Sequence, residues 1–251
     1  MLAKRIIACL DVRDGQVVKG IRFEQLRQAG DPADLARRYN REGIDELVIL
    51  DVTASLESRR AIEATIRAVA VETFIPLAVG GGIRGLEDAA AVIEAGADKV
   101  SLNTAALRDP AIITDVASRF GSQAVVVAID AARQPQGYAV YARSARTATG
   151  RDAVEWAREA EARGAGEILL TSIDRDGTRA GFECDLTAAV SEAVSIPVIA
   201  SGGAGRFEDF AEVFGRGRAD AALAASIFHY QESGVGDLKR FLAENGIPVR
   251  I

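Results

Sequence analysis

Among its 251 residues the chain holds only two cysteines, one histidine, one tryptophan and one methionine. Cys9 and Cys184 make no paired-ligand spacing, which excludes a disulfide scaffold or zinc finger and suits a reducing compartment. His229 follows an apolar run and reads as a helix-start or surface residue rather than a catalyst, while Trp156 sits in a helical pattern as core. Apolar stretches of membrane-spanning length are missing, as is a signal-peptide pattern after Met1, so the expectation is a cytoplasmic protein with no membrane association. The 30 basic residues are scattered and outnumbered by 36 acidic ones, for a net charge of −6. No massed cationic surface is offered to nucleic acid, and a small molecule is the expected ligand. Only four of the basic residues are lysines. Of these, Lys19 and Lys99 lie away from the termini, where a compact point cation is either required or merely sampled.

What the chain does contain is a repeat of itself. Ala8-Cys9-Leu10-Asp11 matches Val127-Ala128-Ile129-Asp130 at an offset of 119, and Gly43 to Ile49 matches Gly164 to Leu170 at 121. Ile75-Pro76-Leu77 through Gly82 pairs with Ile196-Pro197-Val198 through Gly203, and Ala97-Asp98 through Thr104 pairs with Ala219-Asp220 through Ser226. Each half holds four apolar runs separated by helix-like stretches, so eight βα units in one closed barrel is the economical reading. The predicted fold is α/β, a (β/α)8 TIM barrel of two homologous half-barrels, about 1–121 and 122–251, forming a single domain over 1–251.

Strands are predicted at about 5–11, 46–51, 76–80, 99–103, 124–130, 167–172, 197–201 and 221–225, each a continuous apolar run buried on both faces. Asp31-Pro32 opens a helix with a cap residue and a proline at its first position, and Gly43, Gly96, Gly121 and Gly164 end helices. Two connections are long, 12–30 and 131–150, and the repeat sets them opposite each other on one rim, where lids and binding loops reside. Alternation around Tyr138 and Val140 predicts a small hairpin in the second.

Asp11 and Asp130 end strands one and five at the C-terminal rim, where barrels place their chemistry. Each either caps the following helix or serves as one of an opposed acid and base. Asp51, Asp174 and Asp176 crowd the same rim without a diagnostic metal-ligand spacing, so no metal is predicted. Gly80-Gly81-Gly82 with Asn103-Thr104, and Gly202-Gly203 with Ala225-Ser226, form two candidate phosphate cradles from backbone N–H groups and helix N-termini. Glycine there can also relieve crowding, and the hydroxyls can be ordinary caps. Two such sites facing each other predict a linear bisphosphate. At the opposite mouth, Arg5, Glu46, Lys99 and Glu167 begin their strands pointing inward and form a neutral ring, either a paired plug or a gate for something small.

These residues resemble the cyclase subunit family of imidazole glycerol phosphate synthase, over nearly the whole chain. The resemblance is carried by Arg5-Ile6-Ile7-Ala8-Cys9-Leu10-Asp11-Val12, Asp45 through Ser55, Thr171-Ser172-Ile173-Asp174-Arg175-Asp176-Gly177-Thr178 and Ala200-Ser201-Gly202-Gly203-Ala204-Gly205. The sister isomerase of histidine biosynthesis shares the repeat, the aspartates and the glycine turns, but does not usually carry the Leu50 to Ser55 segment or the charged ring. The resemblance implies that ammonia attacks a bisphosphorylated ribulosyl aminoimidazole carboxamide ribotide, with Asp130 and Asp11 as acid and base and no cofactor. It implies substrate and phosphate contacts at Lys19, Asp51, Gly82, Asn103, Thr104, Ser144, Thr171, Asp176, Gly177, Ser201, Gly203, Ala225 and Ser226. It implies, further, that Arg5, Glu46, Lys99 and Glu167 admit ammonia from a separate glutaminase subunit docked on the N-terminal face. This chain lacks a Cys–His pair suited to glutamine hydrolysis. Ala142-Arg143-Ser144-Ala145-Arg146 stands where relatives usually have a Thr and a glycine-rich turn, and Arg22 where an Asn is common.

Overall fold

The computed structural model describes residues 2–21, 24–52, 56–143, 145–229 and 234–251. Among these, the strands in chain order are β1 (Arg5–Arg13), β2 (Gln16–Ile21), β3 (Glu24–Gly30), β4 (Glu46–Asp51), β5 (Leu77–Gly80) and β6 (Lys99–Leu102). They continue with β7 (Val125–Gln134), β8 (Gly137–Ala142), β9 (Thr147–Asp152), β10 (Glu167–Ser172), β11 (Val198–Ser201) and β12 (Ala221–Ala224). Eight of them pair in parallel around a closed circuit, β1-β4-β5-β6-β7-β10-β11-β12 and back to β1, with helices in the connections. This is the (β/α)8 barrel the repeat predicts. Every expected strand starts and stops within a residue of its expected bounds, except that β1 and β7 run on past the rim.

That overrun has a local cause. Both long connections fold back antiparallel on the strand they leave: β2 pairs β1 and β3 pairs β2, while β8 pairs β7 and β9 pairs β8. The hairpin expected over 138–142 is present as β8 and β9. The connection after β1, expected as a loop, is instead largely strand. Its turn is Asp14-Gly15, with φ of 50° and 75°, the positive pair that a two-residue hairpin turn demands. Asp-Gly between apolar runs signals such a turn in sequence.

The repeat is written in hydrogen bonds as well as residues. Asp31 accepts from the Ala33 and Asp34 N–H groups at 2.9 and 3.1 Å, and Asp152 accepts from Val154 and Glu155 at the same distances. Asp98 and Asp220 take the N–H groups of Leu77 and Val198 at 2.8 and 3.1 Å, pinning the starts of β5 and β11. Pro32 opens its helix and left-handed Gly43 closes it.

The outer core lies between barrel and helices; Trp156 and Tyr39 are buried there, as the helical patterns require. Among the described residues the large exposed hydrophobics are Leu2, Val71, Phe74 and Ile251. All four sit at the end where strands begin: Leu2 precedes β1, Val71 and Phe74 precede β5, and Ile251 follows Val249, which bridges to Lys4. No described helix is long and apolar enough to cross a membrane.

Asp31→Ala and Asp152→Ala should each lower unfolding stability by about 1 kcal/mol through loss of the cap. The sites lie on opposite sides of the barrel, so the double variant should show the sum. Urea midpoints at constant m-value measure both.

Candidate active site

Period-two alternation divides β1. Ile6, Ala8 and Leu10 pack outward under the helices, whereas Ile7 and Cys9 join Val48, Ala78, Val126, Leu169, Ile199 and Leu223 in a second, inner core. Arg5 and Asp11 share the inward parity at opposite ends of the same strand.

At the N-terminal end the four charged residues meet in a closed ring. Arg5 Nη1 lies 2.7 Å from Glu46 and 2.9 Å from Glu167, and Lys99 Nζ lies 2.9 Å from Glu46 and 3.0 Å from Glu167. Alternate strands β4, β6 and β10 supply Glu46, Lys99 and Glu167. The fourth, β12, supplies only Ala221, whose neighbour in register is Arg5, so the guanidinium occupies the corner that a small side chain leaves. Burial, reinforced by Glu167, pushes the Glu46 carboxyl above the ordinary range while Lys99 and Arg5 draw it down. Each cation touches both anions, so no buried charge is left uncompensated.

At the other end, Asp11 pairs in register with Leu50, and Asp130 with Thr171 and Tyr141. Neither caps a helix. The helices that follow are capped by Asp31 and Asp152, about twenty residues further on. The Cys9 thiol donates to Asp11 Oδ1 at 3.6 Å. Asn103 Nδ2 donates to Asp130 Oδ2 at 2.9 Å, so this residue, expected in the first cradle, also touches the carboxyl beside it. Burial pushes the Asp130 carboxyl up to about 6, with the Asn103 hydrogen bond opposing and the Asp176 charge adding to the rise. Thr171 lies between Asp130 and Ser201, paired in register with both.

The two glycine turns divide their work. A Cβ on Gly80 would come within 2.9 Å of Leu50 and Ser101, and one on Gly81 within 2.2 Å of the Asp51 carbonyl, so packing accounts for both. Gly82, with φ +68° and nothing within 4 Å of its Cβ position, presents an open backbone. In the second turn Gly202 packs on the Ser172 carbonyl as Gly81 does on Asp51, but Gly203 is covered: its Cβ would lie 2.2 Å from the Gly181 carbonyl. The segment carrying Asp176 and Gly177 therefore lies directly on the second cradle, held by Gly181 N–H to Gly203 O at 2.9 Å, with Asp176 N–H turned back to Ser172 O at 2.9 Å.

Thr104 opens the helix Thr104–Arg108, and its hydroxyl accepts from the Arg143 N–H at 3.1 Å, bringing Arg143 of the atypical stretch against the first cradle. Ala225 follows the equivalent strand and packs on the inner core, and Ser226 opens the short helix after it. Asp51 ends β4 beside Val12. Asp174 turns aside from the mouth to accept the Arg133 N–H at 2.8 Å. Ser144 and Arg22 lie outside the described residues, as do the side chains of Lys19, Ser226 and His229.

Fold and rim together define a (β/α)8-barrel protein with mirrored glycine turns and opposed carboxylates at one mouth and a charged ring at the other. The chain belongs to the family described as histidine biosynthesis protein, whose profile matches residues 5–233. It is 61% identical over 251 residues to the imidazole glycerol phosphate synthase subunit HisF of Acidobacterium capsulatum, covering 100% of this chain and 99% of that one.

Because the Asp130 carboxyl is raised in the folded state, it favours folding while protonated, and this contribution is lost as pH rises through about 6. Asp130→Asn should therefore be more stable than the native chain at pH 8, by up to about 3 kcal/mol for a carboxyl this far shifted and less as solvent reaches it. The advantage should vanish by about pH 4; urea titrations at both pH values read it.

Proposed function

We propose that the chain is the cyclase subunit of imidazole glycerol phosphate synthase, joining ammonia to a bisphosphorylated ribulosyl aminoimidazole carboxamide ribotide. The products are imidazole glycerol phosphate and an aminoimidazole carboxamide ribotide. The observation that carries this reading is the end-to-end 61% identity to a protein of that name. The barrel acts as one domain, with half-barrels of about 1–121 and 122–251. Cys9 and Cys184 are buried and not joined in a disulfide, which fits the reducing cytoplasm.

The substrate's two phosphates rest in the two cradles, one on Gly82, Asn103 and Thr104, the other on Gly203, Ala225 and Ser226. Lys19, Asp51, Ser144, Thr171, Asp176, Gly177 and Ser201 are assigned the remaining substrate contacts. Held at both ends, the ligand has its reacting carbon between Asp11 and Asp130. When ammonia adds to the carbonyl, its oxygen must depart as water, which needs a proton delivered. A carboxyl pushed to about 6 keeps a proton on part of the population near neutrality, and Asp130 is that donor. Asp11, across the mouth, takes the proton released as the new nitrogen closes the ring, and the carbon–nitrogen bond to the aminoimidazole carboxamide ribotide breaks as that group leaves with a proton. Electrostatic support comes from backbone N–H groups whose geometry is fixed before substrate arrives.

Ammonia enters at the opposite end. Arg5, Glu46, Lys99 and Glu167 close that mouth through four ion pairs, and above them the inner core is mostly apolar, a lining that neither protonates nor retains a small neutral amine. A glutaminase subunit docks over this face; the exposed Leu2, Val71, Phe74 and Ile251 around it supply the apolar contacts.

Incubating the chain with the bisphosphorylated ribotide, with and without ammonium, tests the assignment. Turnover should depend on ammonium, and Asp11→Asn or Asp130→Asn should lower it by at least about 10²-fold while substrate still binds. Activity retained in Asp130→Asn would remove its assigned role. Lys99→Ala should impair glutamine-fed turnover with the glutaminase present more than turnover fed by free ammonium; equal losses would leave the ring a structural plug.

A further inference from the structure

We infer that Glu183 is a positioning residue, whose buried carboxylate clamps the segment carrying Asp176 to the strand carrying Asp130. The inference rests on the cyclase reading above.

Glu183 occupies the N-cap position of the helix Cys184–Ser191 but makes no side-chain cap bond. Its carboxylate, 9% exposed, turns instead between two arginines from different segments. Arg133 Nη2 lies 3.0 Å from Oε1 and Arg175 Nε lies 3.6 Å from Oε2, with the Tyr138 hydroxyl 3.4 Å from Oε1. Arg133 stands three residues beyond Asp130 on β7, and Arg175 adjoins Asp176. A carboxylate this deep persists only because its partners compensate it, so the contact is specific rather than a solvated surface pair.

Apolar packing does not do this job. The parallel pairing of β7 with β10 ends at Ala131 and Ser172, and the Ile173 N–H to Ala131 O bond is the last backbone link between the two strands. Beyond it the two segments diverge around a cleft of about 430 Å³, walled by Arg133, Asp174, Arg175, Thr178, Ala180 and Glu183. Across that gap the direct ties are polar: Arg133 N–H to Asp174, and the Glu183 pairs. Asp185, also paired with Arg133, is half exposed and contributes little. Gly181 is bonded separately to Gly203, so the second cradle keeps its own support when the clamp opens. Loss of the clamp therefore acts on the relation between Asp130 and the Asp176 segment, and spares phosphate binding.

The test compares native chain, Glu183→Gln, Arg133→Gln and the double variant in ammonium-fed turnover of the bisphosphorylated ribotide. The native chain comes first: no turnover there defeats the cyclase reading itself. With native activity in hand, each single variant should lose about 10-fold in kcat with KM within about 3-fold. The double should lose no more than the worse single, because both open the same clamp. Arg133 is half exposed, so its variant keeps the test open should Glu183→Gln fold poorly. A kcat within twofold of native in the folded variants, a loss carried wholly by KM, or losses that multiply in the double would each overturn the clamp.

Discussion

A barrel of eight parallel strands has a single interior, and alternation sends every second side chain of every strand into it. That space must be filled at one end, lined in the middle and opened at the other, using side chains whose heights are fixed by register. Here the filling is ionic, four charged groups in a ring; the lining is apolar, from Ile7 to Leu223; and the opening carries Asp11 and Asp130. Reversing the parity of β1 by one residue would put Arg5 and Asp11 under the helices and Ile6 and Leu10 in the lumen, so both ends of the barrel depend on the same register.

Much of this is legible in the sequence because parallel strands buried on both faces are short continuous apolar runs, and a duplicated pattern marks each one twice. The four ring residues follow from their places at the starts of strands, and for Arg5 and Lys99 from parity as well. What escaped is contained mostly in side-chain contacts between segments distant in sequence. The Asp14-Gly15 turn is a local signal overlooked because a long βα connection reads as a loop. Asn103 touching Asp130 depends on the ψ of a residue between strand and helix, which no spacing specifies. Lys239 was set aside as near the terminus, yet it is the most buried lysine with a described side chain, bonded at 2.8 Å to Asp45 and at 2.6 Å to the Gly43 carbonyl. Glu183 carried no motif at all.

Beneath the rim the two halves are not equivalent. Phe182, Phe210, Phe228 and Tyr39 form a chain of ring contacts with centroids 5.4 to 6.4 Å apart, behind the second cradle. Their counterparts across the repeat are Ala61, Ala89, Ala106 and Ala160. Aromatic rings of this size fill volume that alanines leave to the backbone, so equivalent turns rest on unlike foundations. The covered Gly203 and the open Gly82 show the same inequality at the surface.

Duplication alone would give two identical carboxylates, and identical carboxylates cannot divide acid from base. The partners of the two carboxylates differ, and burial sets Asp130 apart. Asp130 receives an amide from Asn103, whose counterpart beside Asp11 is Ala225; Asp11 receives a thiol from Cys9, whose counterpart beside Asp130 is Ala128. Each donor is thus matched by an alanine across the barrel, which has no hydrogen to offer. The amide bonded to Asp130 favours its ionised form, against the burial that raises its pKa. Burial outweighs the amide, so the proton donor is made by its buried surroundings rather than by its hydrogen-bond partner, with the backbone of the barrel left as it was.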